Sequence, residues 1–136
     1  MAVPAKSFSY AVSVDRDWTA TSDRGGRSIA AEEEWSPEHL LLAALARCTL
    51  TSLRYHARRS EIDLQGSADA RGEVAQRTTD GRYAFLHVKV ELDVTLAPAP
   101  AAVRELVGKA ERDCFVGASL TAKPRYHWVV NGEEVL

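Results

Sequence analysis

The strictest alternation of hydrophobic and polar positions runs through "YAFLHVKVELDVTLA", residues 83–97. Ala84, Leu86, Val88, Val90, Leu92, Val94 and Leu96 fall on one face, and His87, Lys89, Glu91 and Asp93 on the other. A side-chain period of two predicts a strand with one face in a core. Just before it, Asp80-Gly81 in "TDGR" predicts a hairpin turn, with "QGSADARGEVAQR" as a less regular partner strand. Near the N-terminus, "SFSYAVSVD" alternates Phe8, Tyr10, Val12 and Val14 with small polar residues, which predicts a half-buried strand. Trp18 to Thr21 and Arg27 to Glu32 predict two short strands separated by the turn signal "DRGG". "RYHWVV" predicts a last strand, and "NGEEVL" a tail.

Between the strand regions the period lengthens. In "SPEHLLLAALARCTLTSLRYHARR", residues 36–59, Ser36 suits an N-cap, Pro37 the first helical position and Glu38 the positive helix end. Leucine and alanine surround the first half, which predicts burial on most sides there. Arg54, Arg58 and Arg59 predict that the second half emerges into solvent. "PAPAAVRELVGKAERD" predicts a second helix, with Val103, Leu106, Val107 and Ala110 on one face. Cys114 follows at or just past its end, and "CFVGASL" suits a short helical turn. No repeat or low-complexity block interrupts this order, so the fold class is α+β: strands, a buried helix, a hairpin, a helix and a strand.

Composition narrows the picture. A chain of 136 residues, 46% hydrophobic and 26% charged, predicts a single domain over residues 1–136 with a core that needs no staples. A net charge of -2 with no basic stripe argues against nucleic-acid partners. "MAVPAKSFSY" lacks the apolar run of a signal peptide, and Leu40 to Ala46 is too short to span a bilayer. The expectation is a cytoplasmic protein without a membrane partner. In a reducing compartment, two cysteines form a cycling pair sooner than a permanent staple.

Those two cysteines carry the candidate chemistry. Cys48 lies deep in the apolar helical pattern. It is either filler, packed as a small hydrophobe, or a nucleophile held in a pocket. A peroxide-reducing cysteine must be a thiolate, and apolar burial opposes ionisation. Cys48 lies ten residues beyond Glu38, about 15 Å along a helix axis, so the helix dipole cannot activate it. A cation must come from elsewhere. Arg47 is adjacent in sequence but points about 100° away around the helix. Arg16, Arg24 and Arg27, in the N-terminal strands and turns, are better placed to reach over the helix. The surroundings of Cys114 suit a resolving thiol, since a sulfenic acid condenses with a nearby thiol to a disulfide. A zinc site finds little support: Cys48, His56, Cys114 and His127 show no C-x-x-C or H-x-x-x-H spacing. His39, His56, His87 and His127 read as surface or satisfied core residues. No G-x-S-x-G elbow suggests a serine hydrolase. No metal or cofactor is expected.

"SPEHLLLAALARC" resembles the helix of the OsmC/Ohr family, which opens with Ser/Asn-Pro-Glu and carries its reactive cysteine ten residues after the glutamate. Here these are Pro37, Glu38 and Cys48. "VGKAERDCFVGASL" places Cys114 where the family's second cysteine follows a helix. The resemblance covers nearly the whole chain in element order. It implies an intertwined homodimer of α+β subunits, with antiparallel sheets wrapped around long central helices. It implies an enzyme of oxidative-stress defence that reduces hydroperoxides, organic ones favoured, at the expense of an external dithiol. It also implies an arginine that holds the thiolate and a helix-start glutamate, Glu38, that orients it; Arg16 in "VDRDWTATSD" is the best match, with Arg24 and Arg27 as rivals. Antiparallel crossing of two such helices would bring Glu38 of one subunit near Cys48 of the other. Three departures stand out. Cys114-Phe115-Val116-Gly117 replaces the family's Cys-Pro-Val/Tyr-Ser, Arg47 fills a position that is usually small, and the long glycine-rich loop of the Ohr branch is missing. The missing loop favours a general OsmC-like member over an Ohr enzyme. The alternative is a member with poorly reactive structural thiols whose apolar cleft binds a small molecule.

Overall fold

The computed structural model describes residues 6–136. The chain divides into an N-terminal unit ending at Ser36 and a larger unit, Pro37–Leu136.

In the N-terminal unit, β1 (Val12–Val14) pairs antiparallel with β2 (Ala20–Ser22). The Asp15 carboxylate accepts from the Asp17 and Thr19 amides at 2.9 and 3.0 Å, which fixes the turn carrying Arg16. The strands are shorter than the sequence pattern predicts. Trp18 sits at φ 65 in the turn, and Arg27 to Glu32 contributes only a single bridge, Ala20 to Ile29. The expected half-burial also fails: Phe8, Tyr10, Val12 and Val14 are all 59–68% exposed. A two-stranded ribbon supplies no second layer to cover them.

The larger unit is built on a four-stranded sheet in the order β3-β4-β5-β6. β3 (Asp63–Gln76) and β4 (Tyr83–Ala97) form the predicted hairpin, closed between the Arg77 amide and the Arg82 carbonyl at 2.8 Å. The inward residues of β4 from Val88 to Leu96 are all buried. β5 (Arg125–Val130) runs parallel to β4, which requires a crossover. That crossover contains α2 (Val103–Arg112) and α3 (Phe115–Ala118). The predicted tail is instead a strand, β6 (Glu133–Val135), antiparallel to β5. Asn131 and Gly132 both have positive φ, 52 and 79, the conformation that a two-residue hairpin turn of this hand requires. The Asn131 side chain also pairs with the Leu96 backbone, accepting from its amide at 2.8 Å and donating to its carbonyl at 3.1 Å.

The long helix α1 spans Pro37–Arg59. Its burial differs from expectation. Leu45, Thr49, Ser52, Leu53 and Ala57 are buried, a single stripe in its middle and end, while Leu40 in the first turns is 37% exposed. Spacings of three and four place these five on one face. β4, α2 and Trp128 of β5 cover that face in one continuous core. The Ser52 hydroxyl donates to the Ala110 carbonyl at 2.8 Å, tying α1 to α2. The Trp128 indole donates to Glu111 at 2.8 Å, tying β5 to α2. Among the described residues, no helix is long and apolar enough to cross a membrane.

Candidate active site

Cys48 and Cys114 arrive from two different helices. α1 presents Cys48 one residue before the buried Thr49, so its side chain lies at the border of the packed stripe and is half-buried. α2 ends at Arg112, and the chain turns through Asp113 into Cys114, the N-cap of the four-residue α3. Cys114 is fully buried. α3 then holds both sulfurs. The Val116 amide donates to Cys48 Sγ at 3.5 Å, and the Gly117 amide to Cys114 Sγ at 3.4 Å. Both cysteines are free thiols.

The electrostatics of Cys48 favour the protonated thiol. Burial pushes it above its ordinary value, and the neighbouring Cys114 adds to the rise, while the Val116 and Phe115 amides pull the other way. Within this unit, then, the amides alone do not make Cys48 a thiolate.

The turn between α2 and Cys114 is anchored by charge. The Asp113 carboxylate accepts two hydrogen bonds from Arg112, each 3.0 Å, and contacts His56 Nε2 of α1 at 2.7 Å. His56 is thus a partnered residue, as a satisfied core histidine should be. The Arg112 guanidinium first, then His56, hold the Asp113 carboxyl down at about 2. Its contribution to stability is complete above the ordinary value of 3.8 and disappears as pH falls through about 2. Asp113→Asn should therefore lower stability at neutral pH and flatten the loss of stability between pH 4 and pH 2. Urea titrations of both proteins across that range check this.

The remaining sequence candidates lie apart from this cluster or in the other unit. Glu38 occupies the first turn of α1 and is exposed, about 15 Å along the axis from Cys48. Arg47 is exposed and lines a groove on the helix flank with Arg54, Leu64 and Gly66. Arg16, Arg24 and Arg27 belong to the N-terminal unit. Arg24 there stacks over the Tyr10 ring, 4.8 Å from its centroid.

Two further side chains approach Cys114 that no motif marks. The Thr49 hydroxyl lies 3.6 Å from its sulfur, and the Tyr126 hydroxyl lies close by, since a Cβ on Gly117 would stand 2.5 Å from that oxygen and 3.4 Å from Cys114 Sγ. One signal for Tyr126 was available. It shares a strand face with Trp128, which points into the core, and an inward phenol needs a polar partner. Among the described residues, no group of three or more His, Cys, Asp or Glu side chains gathers as a metal site would require.

A family model described as OsmC-like protein matches residues 30–128. No curated protein sequence matches. Similar solved structures include an OsmC-like protein from Mycoplasma pneumoniae, 17% identical, covering 93% of this chain and 99% of that one with a TM-score of 0.72. The organic hydroperoxide resistance protein OhrB of Bacillus subtilis is 20% identical over 91% of this chain and 98% of its own, TM-score 0.59. An organic hydroperoxide resistance protein OsmC from Legionella pneumophila is 17% identical over 94% and 98%, again with a TM-score of 0.59. At such identities the likeness is one of fold.

Proposed function

Since this chain belongs to the OsmC-like family, we propose that it is a thiol-dependent peroxidase of oxidative-stress defence, reducing hydroperoxides and preferring organic ones. Cys48 is the attacking thiol and Cys114 the resolving thiol. The observation that carries this reading is the meeting of both sulfurs at one short helix, each accepting from a backbone amide of α3. Two relatives in fold bear the name organic hydroperoxide resistance protein.

In this mechanism the Cys48 thiolate attacks one oxygen of the hydroperoxide. The O–O bond breaks, the alcohol leaves with a proton, and Cys48 becomes a sulfenic acid. Cys114 then forms the disulfide with release of water, and an external dithiol restores both thiols. Half-burial suits Cys48 to an apolar substrate, and full burial keeps Cys114 from reacting first. Mass spectrometry of protein treated with one equivalent of cumene hydroperoxide should find an intramolecular Cys48–Cys114 disulfide. Intersubunit or over-oxidised species alone would count against the pairing.

The charge that Cys48 lacks within its own unit would come from Arg16. The Asp15 turn fixes the backbone beneath it, whereas Arg24 is engaged with Tyr10. Arg16→Ala should raise the Cys48 pKa and slow its oxidation about 10²-fold, as loss of a hydrogen-bonded charge partner does; Arg24→Ala should do less. Rates against pH compare the two, and the reverse ranking would move the role to Arg24 or Arg27. Glu38 would orient the arginine.

A homodimer fits the surfaces of both units. The exposed stripe of Phe8, Tyr10, Val12 and Val14 and the uncovered start of α1 at Leu40 are apolar surface that a second subunit would bury. A cytoplasmic location suits thiols that must be kept reduced.

A further inference from the structure

The buried sulfur of Cys114 has more hydrogen-bonding neighbours than packing demands. Thr49 Oγ1 lies 3.6 Å away, but its hydroxyl gives its one hydrogen to the Leu45 carbonyl at 2.9 Å. Towards Cys114, Thr49 therefore acts as acceptor, and the thiol hydrogen points at it. The sulfur lone pairs are left for donors. One is the Gly117 amide at 3.4 Å. The other donor nearby is the Tyr126 hydroxyl of β5, which shares with that sulfur the space over the Gly117 α-carbon, where a Cβ would lie 3.4 Å from Cys114 Sγ. Gly117 makes room for it: a Cβ at that position would stand 2.5 Å from the Tyr126 oxygen. Burial, and Cys114 beside it, push the phenol above its ordinary value, so it keeps its proton and remains a donor.

We propose that Tyr126 is a catalytic residue of the resolving step, its hydroxyl donating to the Cys114 sulfur as that sulfur becomes a thiolate and attacks Cys48. The proposal rests on the peroxidase reading above. The oxidant is the hydroperoxide, already spent in making the Cys48 sulfenic acid. The Cys114 sulfur forms the S–S bond, the Cys48 S–O bond breaks, and the departing hydroxide takes up the proton that Cys114 gives up, to leave as water. Tyr126 loses no proton. Its hydrogen bond strengthens as negative charge develops on sulfur, and hydrogen bonds to charged groups are about twice as strong as neutral ones. Such a bond lowers the barrier to the second step without entering the first.

A phenol that merely fills the core would leave the balance of the two steps unchanged, and that balance is measurable. Reduced protein is mixed with cumene hydroperoxide, quenched at intervals, labelled with dimedone and analysed by mass spectrometry. This separates sulfenic acid formation on Cys48 from disulfide formation. In Tyr126→Phe the ratio of the second rate to the first should fall about ten-fold, with dimedone-labelled Cys48 accumulating and the pH midpoint of the second step moving upward. An unchanged ratio and midpoint, or equal slowing of both steps, would overturn the proposal. If Tyr126→Phe does not fold, Gly117→Ala displaces the phenol while keeping it in the chain. The same fall in the ratio is then expected, and an unchanged ratio is fatal. Absence of the first step in the wild-type protein would remove the peroxidase reading and this proposal together. A normal first step with an unaltered ratio would remove the proposal alone.

Discussion

Cys48→Ser is expected to lower hydroperoxide consumption by at least about 10³-fold, the scale seen when a nucleophile that no neighbour can replace is removed. Serine fits the site. It is slightly smaller than cysteine, Cys48 is only half-buried, and the Val116 amide that donates to the sulfur could donate to a hydroxyl instead. The fold should therefore persist, with an unchanged circular dichroism spectrum and urea midpoint. The chemistry should not. A hydroxyl is a far weaker nucleophile than a thiolate towards an O–O bond and stays protonated in the pH range where a thiol ionises. Cys114→Ser makes a useful contrast: one turnover should survive, after which Cys48 stalls as a sulfenic acid open to further oxidation. Near-normal peroxide turnover by Cys48→Ser would leave the thiols as packing groups and favour a small-molecule-binding role.

The largest expected effect on stability comes from a residue with no side chain. Gly66 of β3 has φ 155, a conformation in which L side chains are strained. It pairs with Val94, in the buried C-terminal half of β4. A Cβ at position 66 would lie 2.5 Å from the Asp93 carbonyl oxygen, 2.7 Å from Val94 Cα and 2.8 Å from Val94 Cγ1. The first two are backbone atoms of the strand that carries the core, so relief requires the hairpin to part locally. Gly66→Ala should destabilise by about 3 kcal/mol, combining overpacking with backbone strain. Gly108→Ala is the control. A Cβ there meets nothing within 4 Å on the exposed side of α2, and it should stabilise by about 0.5–1 kcal/mol. Urea midpoints of the two variants should therefore move in opposite directions.

What the chain reveals before folding follows from the range of the interactions. β4 and the inward face of α2 are legible because a period of two or 3.6 is local, and so is the start of α1 at Pro37. β6 is also locally signalled, by Asn131-Gly132, yet "EEV" has no hydrophobic alternation of its own and is a strand only because β5 lies beside it. The burial of α1 depends on what covers it, which no helical pattern states. Leu40 and Leu45 look alike in the sequence, yet only Leu45 meets the core. The candidate site divides similarly. The two cysteines can be read from their motifs, and the structure brings both to α3. Tyr126 could not be paired with Cys114 from sequence, because the contact depends on the parallel placement of β5 beside β4.

The Asn131-Gly132 turn has a consequence for how this protein ages. Asparagine followed by glycine is the dipeptide most prone to lose its amide, because the glycine nitrogen can attack the side-chain carbonyl and close a succinimide ring. Here that carbonyl oxygen accepts from the Leu96 amide at 2.8 Å, while the side-chain nitrogen donates to the Leu96 carbonyl at 3.1 Å. Both ends of the amide are therefore held against β4, away from the ring-closing geometry. Deamidation should proceed through molecules in which β6 has peeled away, so its rate would measure how often this edge of the sheet opens. Once it occurs, the change would lock itself in. Aspartate at 131 has no N–H to offer the Leu96 carbonyl, and its new charge would face that oxygen, so an aged molecule would open its edge more readily than a fresh one.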